Sequence, residues 1–393
     1  MDTQLEQARD WFLRGIEHFE AGRLEQARDA FQTALGFAPG RPSVLGNLGI
    51  TLFRLGHMAE AVPVLRQATA ADPGYADAWT SLGLSLAAQS RWQEADSALA
   101  RAAVLAPPQA EVLVQHGQCL LQLGRAHDAM EAYDLAIETR PAYADAWVAR
   151  GNLLRDMQQL DAAATAFEKA LALGADPELT GYYLASVRGV TTAAPRRYVE
   201  TLFDQYAPDF QSHVISTLRY QGHERLLRPL INVGQRFGRA LDLGCGTGLC
   251  GQLIRPLVDV LEGVDLSQAM VEQSRGTGLY DTLAHADVGD YLKTAQGPFD
   301  LVMAADVFIY VGDLTEIFPA VRRLLSAGGR FVFTAEASEG EDVKLLPSLR
   351  YAHAEAYLRR LAEANGFRVD AIESAPIRYD QEKAIAGMYV YLA

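Results

Sequence analysis

Asp242 stands two residues ahead of Gly244-Cys245-Gly246-Thr247-Gly248, and the loop follows the apolar run ALDL. Glycines this dense behind a strand let a ligand touch bare main chain, the way nucleotide-like molecules are held. The spacing is G-x-G-x-G and misses the G-x-G-x-x-G of the dinucleotide fingerprint. Charge separates the candidate ligands further. A pyrophosphate on this loop would meet the Asp242 carboxylate, an unfavourable pairing. A ligand carrying an ammonium and a sulfonium would be favoured by the same acid.

S-adenosylmethionine (SAM) carries both cations and no phosphate. Later acids extend the pattern. Asp265 ends the next apolar stretch, followed by Leu266 and Met270. A carboxylate there accepts both ribose hydroxyls and disfavours a 2′-phosphate, although nicotinamide enzymes place an acid similarly. Asp287-Val288 follows the third stretch, where the acid can take an adenine amine while the valine amide faces a ring nitrogen.

Methyl transfer from a sulfonium is an in-line displacement, so positioning is most of what an enzyme must supply. A base is needed only where the acceptor loses a proton early. Asp306, after the fourth stretch, Tyr310, Tyr351 and His353 lie near expected strand ends. Asp306 has a competing role as a cofactor contact, and His353 as the opening residue of a helix. Cys245 and Cys250 read as small packing residues. The fourth stretch continues Ala305-Asp306-Val307-Phe308, without the N/D-P-P-Y/F of amino methylation of DNA bases, and no Pro-Cys pair occurs.

These residues need a scaffold. RALDL (239–243), DVLEGVDL (259–266), DTLAHADV (281–288), FDLVMAADV (299–307) and GRFVFTAE (329–336) read as short buried strands. Segments with helical periodicity separate them, which predicts a parallel sheet covered by helices on both faces. FRVDAIES (367–374) and AGMYVYLA (386–393) predict an antiparallel edge pair. Open parallel sheets bind ligands beyond the carboxyl ends of their strands, where the glycine loop falls.

The first half follows another rule. Gly15, Gly49, Gly83, Gly117 and Gly151 recur every 34 residues. Ala27, Ala61, Ala95, Ala129 and Ala163 keep the register, as do Ala34, Ala68, Ala102, Ala136 and Ala170, and Pro39, Pro73, Pro107 and Pro141 close four of the units. Small residues recur where two helices approach closely, and proline where the second must stop. Trp11, Trp79 and Trp147 are expected to fill space between the helices.

The repeats resemble tetratricopeptide repeats (TPR): five units over about 8–177, then a capping helix near 178–190. The resemblance implies a superhelix with a concave groove for a peptide or protein segment. From 236 to 393, D-x-G-x-G-x-G with its ordered acids and the AGG turn before the fifth strand resembles class I SAM-dependent methyltransferases. That resemblance implies a Rossmann-like seven-stranded sheet with an antiparallel last strand. It also implies that Asp242, Gly244, Gly246 and Gly248 meet the methionine part of SAM, Cys245 through its backbone, with Asp265 at the ribose and Asp287 at the adenine. FDQYAPDF (203–210) resembles a segment that precedes the sheet in many small-molecule methyltransferases, which makes Tyr206 a candidate to close over SAM. The pairing as a whole is similar to a bacterial group of TPR-containing methyltransferases.

The expected fold is therefore a TPR α-solenoid over 1–190, a linker and helical lid over 191–235, and the methyltransferase domain over 236–393. Net charge is −14, from 35 basic and 49 acidic residues, with only four lysines and no basic cluster. That disfavours a nucleic-acid surface. Three cysteines lack zinc-type spacing, so no metal is expected. No apolar run approaches the ~18 residues of a membrane span, and the charged, helical N-terminus is unlike a secretion signal, which together predict a cytoplasmic protein. The leading function is a SAM-dependent methyltransferase whose repeats recruit a peptide or protein. The alternatives are a small-metabolite methyltransferase with repeats used for assembly, a TPR adaptor with an idle SAM-binding domain, and a nicotinamide oxidoreductase.

Overall fold

The computed structural model describes residues 2–207, 210, 220–380 and 383–393. The chain divides into two compact units, Met1–Ala175 and Asp176–Ala393.

The first unit is an α-solenoid of five helix pairs among the described residues: α1 (Asp2–Glu20) with α2 (Leu24–Phe37), α3 (Pro42–Arg54) with α4 (Met58–Ala71), α5 (Ala76–Ala87) with α6 (Trp92–Leu105), α7 (Ala110–Gln122) with α8 (Ala126–Thr139), and α9 (Ala144–Asp156) with α10 (Leu160–Ala172). The periodic glycines have a steric cause. A Cβ on Gly15, Gly49, Gly83, Gly117 or Gly151 would come within 2.3–2.6 Å of Phe31, Leu65, Leu99, Tyr133 or Phe167, each 16 residues later on the paired helix. Those five large side chains are almost completely buried, and they fill the space between the paired helices. The tryptophans have a different part. Trp79 and Trp147 are only half-buried, and each donates its indole N–H to a proline carbonyl in the preceding turn, Pro73 at 3.1 Å and Pro141 at 3.0 Å.

The second unit begins with α11 (Pro177–Arg188), capped by Asp176, which accepts from the Glu178 and Leu179 amides. This helix was expected to close the repeat array. It belongs instead with the second unit, where Tyr182 is buried beside Leu349 and Tyr351 and donates its hydroxyl to the Leu349 carbonyl at 2.8 Å. Helices α12 (Arg196–Tyr206) and α13 (Gly222–Val233) follow.

A sheet of nine strands among the described residues comes next: β1 (Phe237–Leu243), β2 (Val258–Asp265), β3 (Thr282–His285), β4 (Phe299–Ala304), β5 (Leu325–Ala337), β6 (Val343–Leu345), β7 (Tyr351–His353), β8 (Val369–Asp380) and β9 (Lys383–Leu392). Strands β3-β2-β1-β4-β5 are parallel, β9 pairs antiparallel with β5, and β8 lies outside β9. These seven are the expected Rossmann-like methyltransferase sheet. The short β6–β7 pair is an addition that extends β5 at its carboxyl end.

Alternation along the strands builds two cores. Leu241, Phe299, Val302, Phe331 and Phe333 face α16 (Val288–Thr294), α17 (Ile317–Leu324) and α18 (Glu355–Ala364). Ala240, Leu301, Met303 and Val332 face α13 and α14 (Leu249–Ile254). Helix α15 (Gln268–Thr277) follows β2. The strand order reverses between β1 and β4, and a crevice opens at such a switch point beyond the strand ends. No described helix is long and apolar enough to cross a membrane.

Candidate cofactor and acceptor cavity

The glycine loop follows β1 at that switch point. Gly244 and Gly246 have φ of +65° and +53°, a region that L side chains rarely enter. At Gly244 a Cβ would strike Val307 at 2.4 Å, so the loop lies flat against the β4 end. At Gly246 a Cβ would meet nothing nearer than Phe210 at 4.0 Å and would occupy open cavity. The Gly246 amide donates to Asp265 Oδ2 at 2.8 Å, and Ser274 donates to the Gly246 carbonyl at 2.8 Å, which fixes the loop between β2 and α15.

The cavity over this loop is about 650 Å³, within the size range of small-molecule sites. Gly244, Cys245, Gly246, Asp265, Leu266, Met270, Asp287, Val288, Asp306, Tyr206 and Tyr310 all line it. Asp265 also accepts from the Ser267 amide at 2.9 Å, so each oxygen holds one backbone donor and keeps a lone pair for a further one. Burial raises its carboxyl above the usual range, partly offset by these bonds. Asp287 caps α16, accepting from the Asp290 amide at 3.1 Å.

Other expected residues lie apart from the lining. Asp242, expected at the methionine part, sits behind the loop, 1% exposed, and accepts from the Tyr280 hydroxyl at 2.7 Å. Its Oδ1 is buried without a partner among the described residues, and burial pushes the carboxyl up to about 7. Tyr280 reaches it only because Gly251 and Gly263 lack side chains: a Cβ on either would come within 2.9 Å of the ring. Gly248, with φ +90°, turns the chain into α14 and does not line the cavity.

His353, a candidate base, lies in β7 ahead of α18 and is fully buried, with Nε2 bonded to the Gly312 carbonyl at 2.9 Å. Burial lowers its imidazole to about 4, and the cavity does not reach it. Tyr351 is also buried, its hydroxyl donating to the Thr192 carbonyl. Burial raises the Cys245 and Cys250 thiols, so neither is a ready nucleophile. In the FDQYAPDF segment, Asp204 accepts from Ser267 Oγ at 2.5 Å and ties α12 to the start of α15. Pro208 and Asp209 lie outside the described residues.

Several lining groups escaped the sequence. Arg378, on β8 and 3% exposed, bridges Asp306 Oδ1 at 3.0 Å and Glu336 Oε2 at 2.6 Å. Asp306 has φ +60°, and its amide donates to Thr334 Oγ1 at 2.7 Å. His223 stacks on Tyr220, burial lowers its imidazole, and its buried Nδ1 has no partner among the described residues. Arg350 lines the cavity with Tyr310 as its hydrogen-bond partner. A charge on an inward position of an apolar strand was the available signal for Arg378. Nothing in the local sequence marks Arg350.

A family model described as a methyltransferase domain matches residues 241–331, and two described as tetratricopeptide repeat match 18–84 and 114–179. The chain joins tetratricopeptide repeats to a methyltransferase domain. Malonyl-(acyl-carrier protein) O-methyltransferase of Enterobacter lignolyticus is 29% identical over 175 residues, 42% of this chain and 66% of its own. Methyltransferase-like protein 27 of Homo sapiens is 34% identical over 106 residues, 26% of this chain and 43% of its own. The chain thus spans less than two thirds of either relative. A solved structure of magnesium protoporphyrin IX methyltransferase from Synechocystis PCC 6803, with bound SAM, aligns at 18% identity and a TM-score of 0.40, covering 51% of this chain and 99% of that one.

The residues of the methyltransferase domain fit SAM. Gly246 presents its backbone to open cavity, acids end β2 and follow β3, and Asp242 keeps a buried oxygen without a partner among the described residues.

Proposed function

We propose that the chain is a SAM-dependent methyltransferase acting in the cavity above the glycine loop, and that its repeats dock a peptide or protein. The bare Gly246 backbone, clamped by Asp265 within a cavity lined by acids and aromatic rings, carries the reading. When bound, SAM supplies an electrophilic methyl on a sulfonium. The chain's own work is placement. Asp265 and Asp287 hold the nucleoside hydroxyls and amine, and the field of Asp242 behind the loop orients the amino-acid end. Phe203, Tyr206, Phe210 and Tyr310 exclude water around the acceptor. Asp306, locked by Arg378 and by its own backbone bond to Thr334, forms a fixed wall beside the loop. His223 is a lining imidazole placed to accept a proton from an acceptor that must lose one, although burial weakens it as a base.

Five repeats exceed the roughly three that a stable array needs, which supports a docking role for them. Among the described residues, those lining the cavity, from Ala194 to Arg378, belong to the second unit. That observation favours a small acceptor, or a small group carried by a larger one, as the second reading alongside a protein substrate. Calorimetric titration tests the function directly. S-adenosylhomocysteine is expected to bind one per chain, and Gly246→Val to abolish binding while the thermal transition persists. Binding of NAD with no response to S-adenosylhomocysteine would overturn the proposal.

A further inference from the structure

The charges around the cavity are arranged unevenly. Toward β2 and β3 the lining carries the acids Asp265 and Asp287, as a cationic cofactor requires, with the Arg196 guanidinium there already paired to Asp290 at 3.1 Å. Toward β4, β7 and β8 it carries Asp306, Arg350 and Arg378. Arg378 is already held by two carboxylates, Asp306 and Glu336. Arg350 has no carboxylate within 4.0 Å among the described residues. Its neighbour is the Tyr310 phenol, with Asp306 and Glu336 felt only at longer range. A guanidinium withdrawn from water without a bonded anion is costly. Its planar fork is matched by a carboxylate, which accepts two parallel N–H bonds.

The walls near Arg350 are flat and apolar. Tyr310 meets Phe203 edge-on at 5.0 Å, Phe203 meets Phe210 at 6.3 Å, and Phe210 meets Tyr206 at 5.2 Å. Such a collar accommodates a ring-sized body better than a flexible polar chain. We propose that the acceptor is a small organic acid with an aromatic or similarly flat body, its carboxylate held by Arg350 and its body by the collar. This rests on the methyltransferase reading and adds the acceptor's chemical class to it. The competing role for Arg350 is internal: a countercharge to the surplus acid of the Asp306–Arg378–Glu336 group.

The test uses the full chain saturated with S-adenosylhomocysteine, titrated with phenylacetate and with its neutral isostere phenylacetamide. Phenylacetate is expected to bind at least tenfold more tightly than the amide. Arg350→Met should erase that preference while leaving S-adenosylhomocysteine affinity within twofold, and Arg350→Lys, which keeps charge without the fork, should recover part of it. Equal binding of acid and amide, binding of neither, or a preference that survives Arg350→Met overturns the inference. A lowered melting temperature in Arg350→Met with the preference intact identifies the countercharge role instead. Failure of the wild-type chain to bind S-adenosylhomocysteine would strike at the methyltransferase reading itself, a separate result from any acid-to-amide comparison.

Discussion

Asp242 shows how one buried group can couple ligand, proton and stability. Burial raises its carboxyl to about 7, the Tyr280 bond lowers it in part, and nearby Asp265 raises it again. An unfolded aspartate titrates near 4. Between about pH 4 and 7 the folded domain therefore holds a proton that the unfolded chain does not, and stability falls as pH rises through that window. A ligand ammonium reverses the preference by favouring the ionised acid. Uptake of S-adenosylhomocysteine then releases this proton below pH 7, so affinity should weaken from pH 8 to 6, approaching about tenfold per pH unit well below 7. Asp242→Asn should flatten the profile, with weaker binding at pH 8. Titrations in buffers of different ionisation enthalpy count the protons directly, and a flat wild-type profile between pH 6 and 8 would refute the coupling. The motif made Asp242 visible in the sequence, but its depth was not, because the Tyr280 contact depends on Gly251 and Gly263 lying under one ring. The reverse holds for His353. Its place ahead of a helical run was legible, yet three residues of strand bury it, and no periodicity develops over so short a stretch.

At the scale of elements, the seven strands were legible as short apolar runs set between helical segments, and the repeat helices because period 34 persists over five units. The boundary between units was less so. Pro177 and the helical pattern behind it continue the rhythm of the repeats, but Leu349, which accepts the Tyr182 hydroxyl of α11, lies 167 residues later, beyond any local signal. A fragment of residues 176–393 should fold and bind S-adenosylhomocysteine as the full chain does. A fragment beginning at Ala194 loses Tyr182, its bond to Leu349 and the Thr191 contact to the Val343 carbonyl. Removing one large buried aromatic side chain costs about 3–5 kcal/mol. The shorter fragment should therefore melt at lower temperature or aggregate. Equal melting temperatures for the two fragments would show that α11 is dispensable.

At the scale of the whole molecule, two architectures with different periods share one chain, and the described residues that line the cavity belong to the second unit. Removing residues 1–175 should then leave S-adenosylhomocysteine affinity within about twofold, since the described lining residues all remain. What the repeats contribute is a separate quantity. If they hold a partner that carries or is the acceptor, tethering raises the local concentration of that acceptor at the cavity. Binding energy remote from the reacting atoms is the kind whose loss raises KM and spares kcat. With the natural acceptor, the truncated enzyme should therefore show a KM at least tenfold higher and a kcat nearly unchanged. A free small acid saturating the cavity should be turned over equally by both forms, because it does not use the repeats. Steady-state methylation of the two acceptor types by the full and truncated chains separates these cases. Equal efficiency on every acceptor would leave the repeats with assembly alone, and a fall in kcat would mean that they shape the cavity itself.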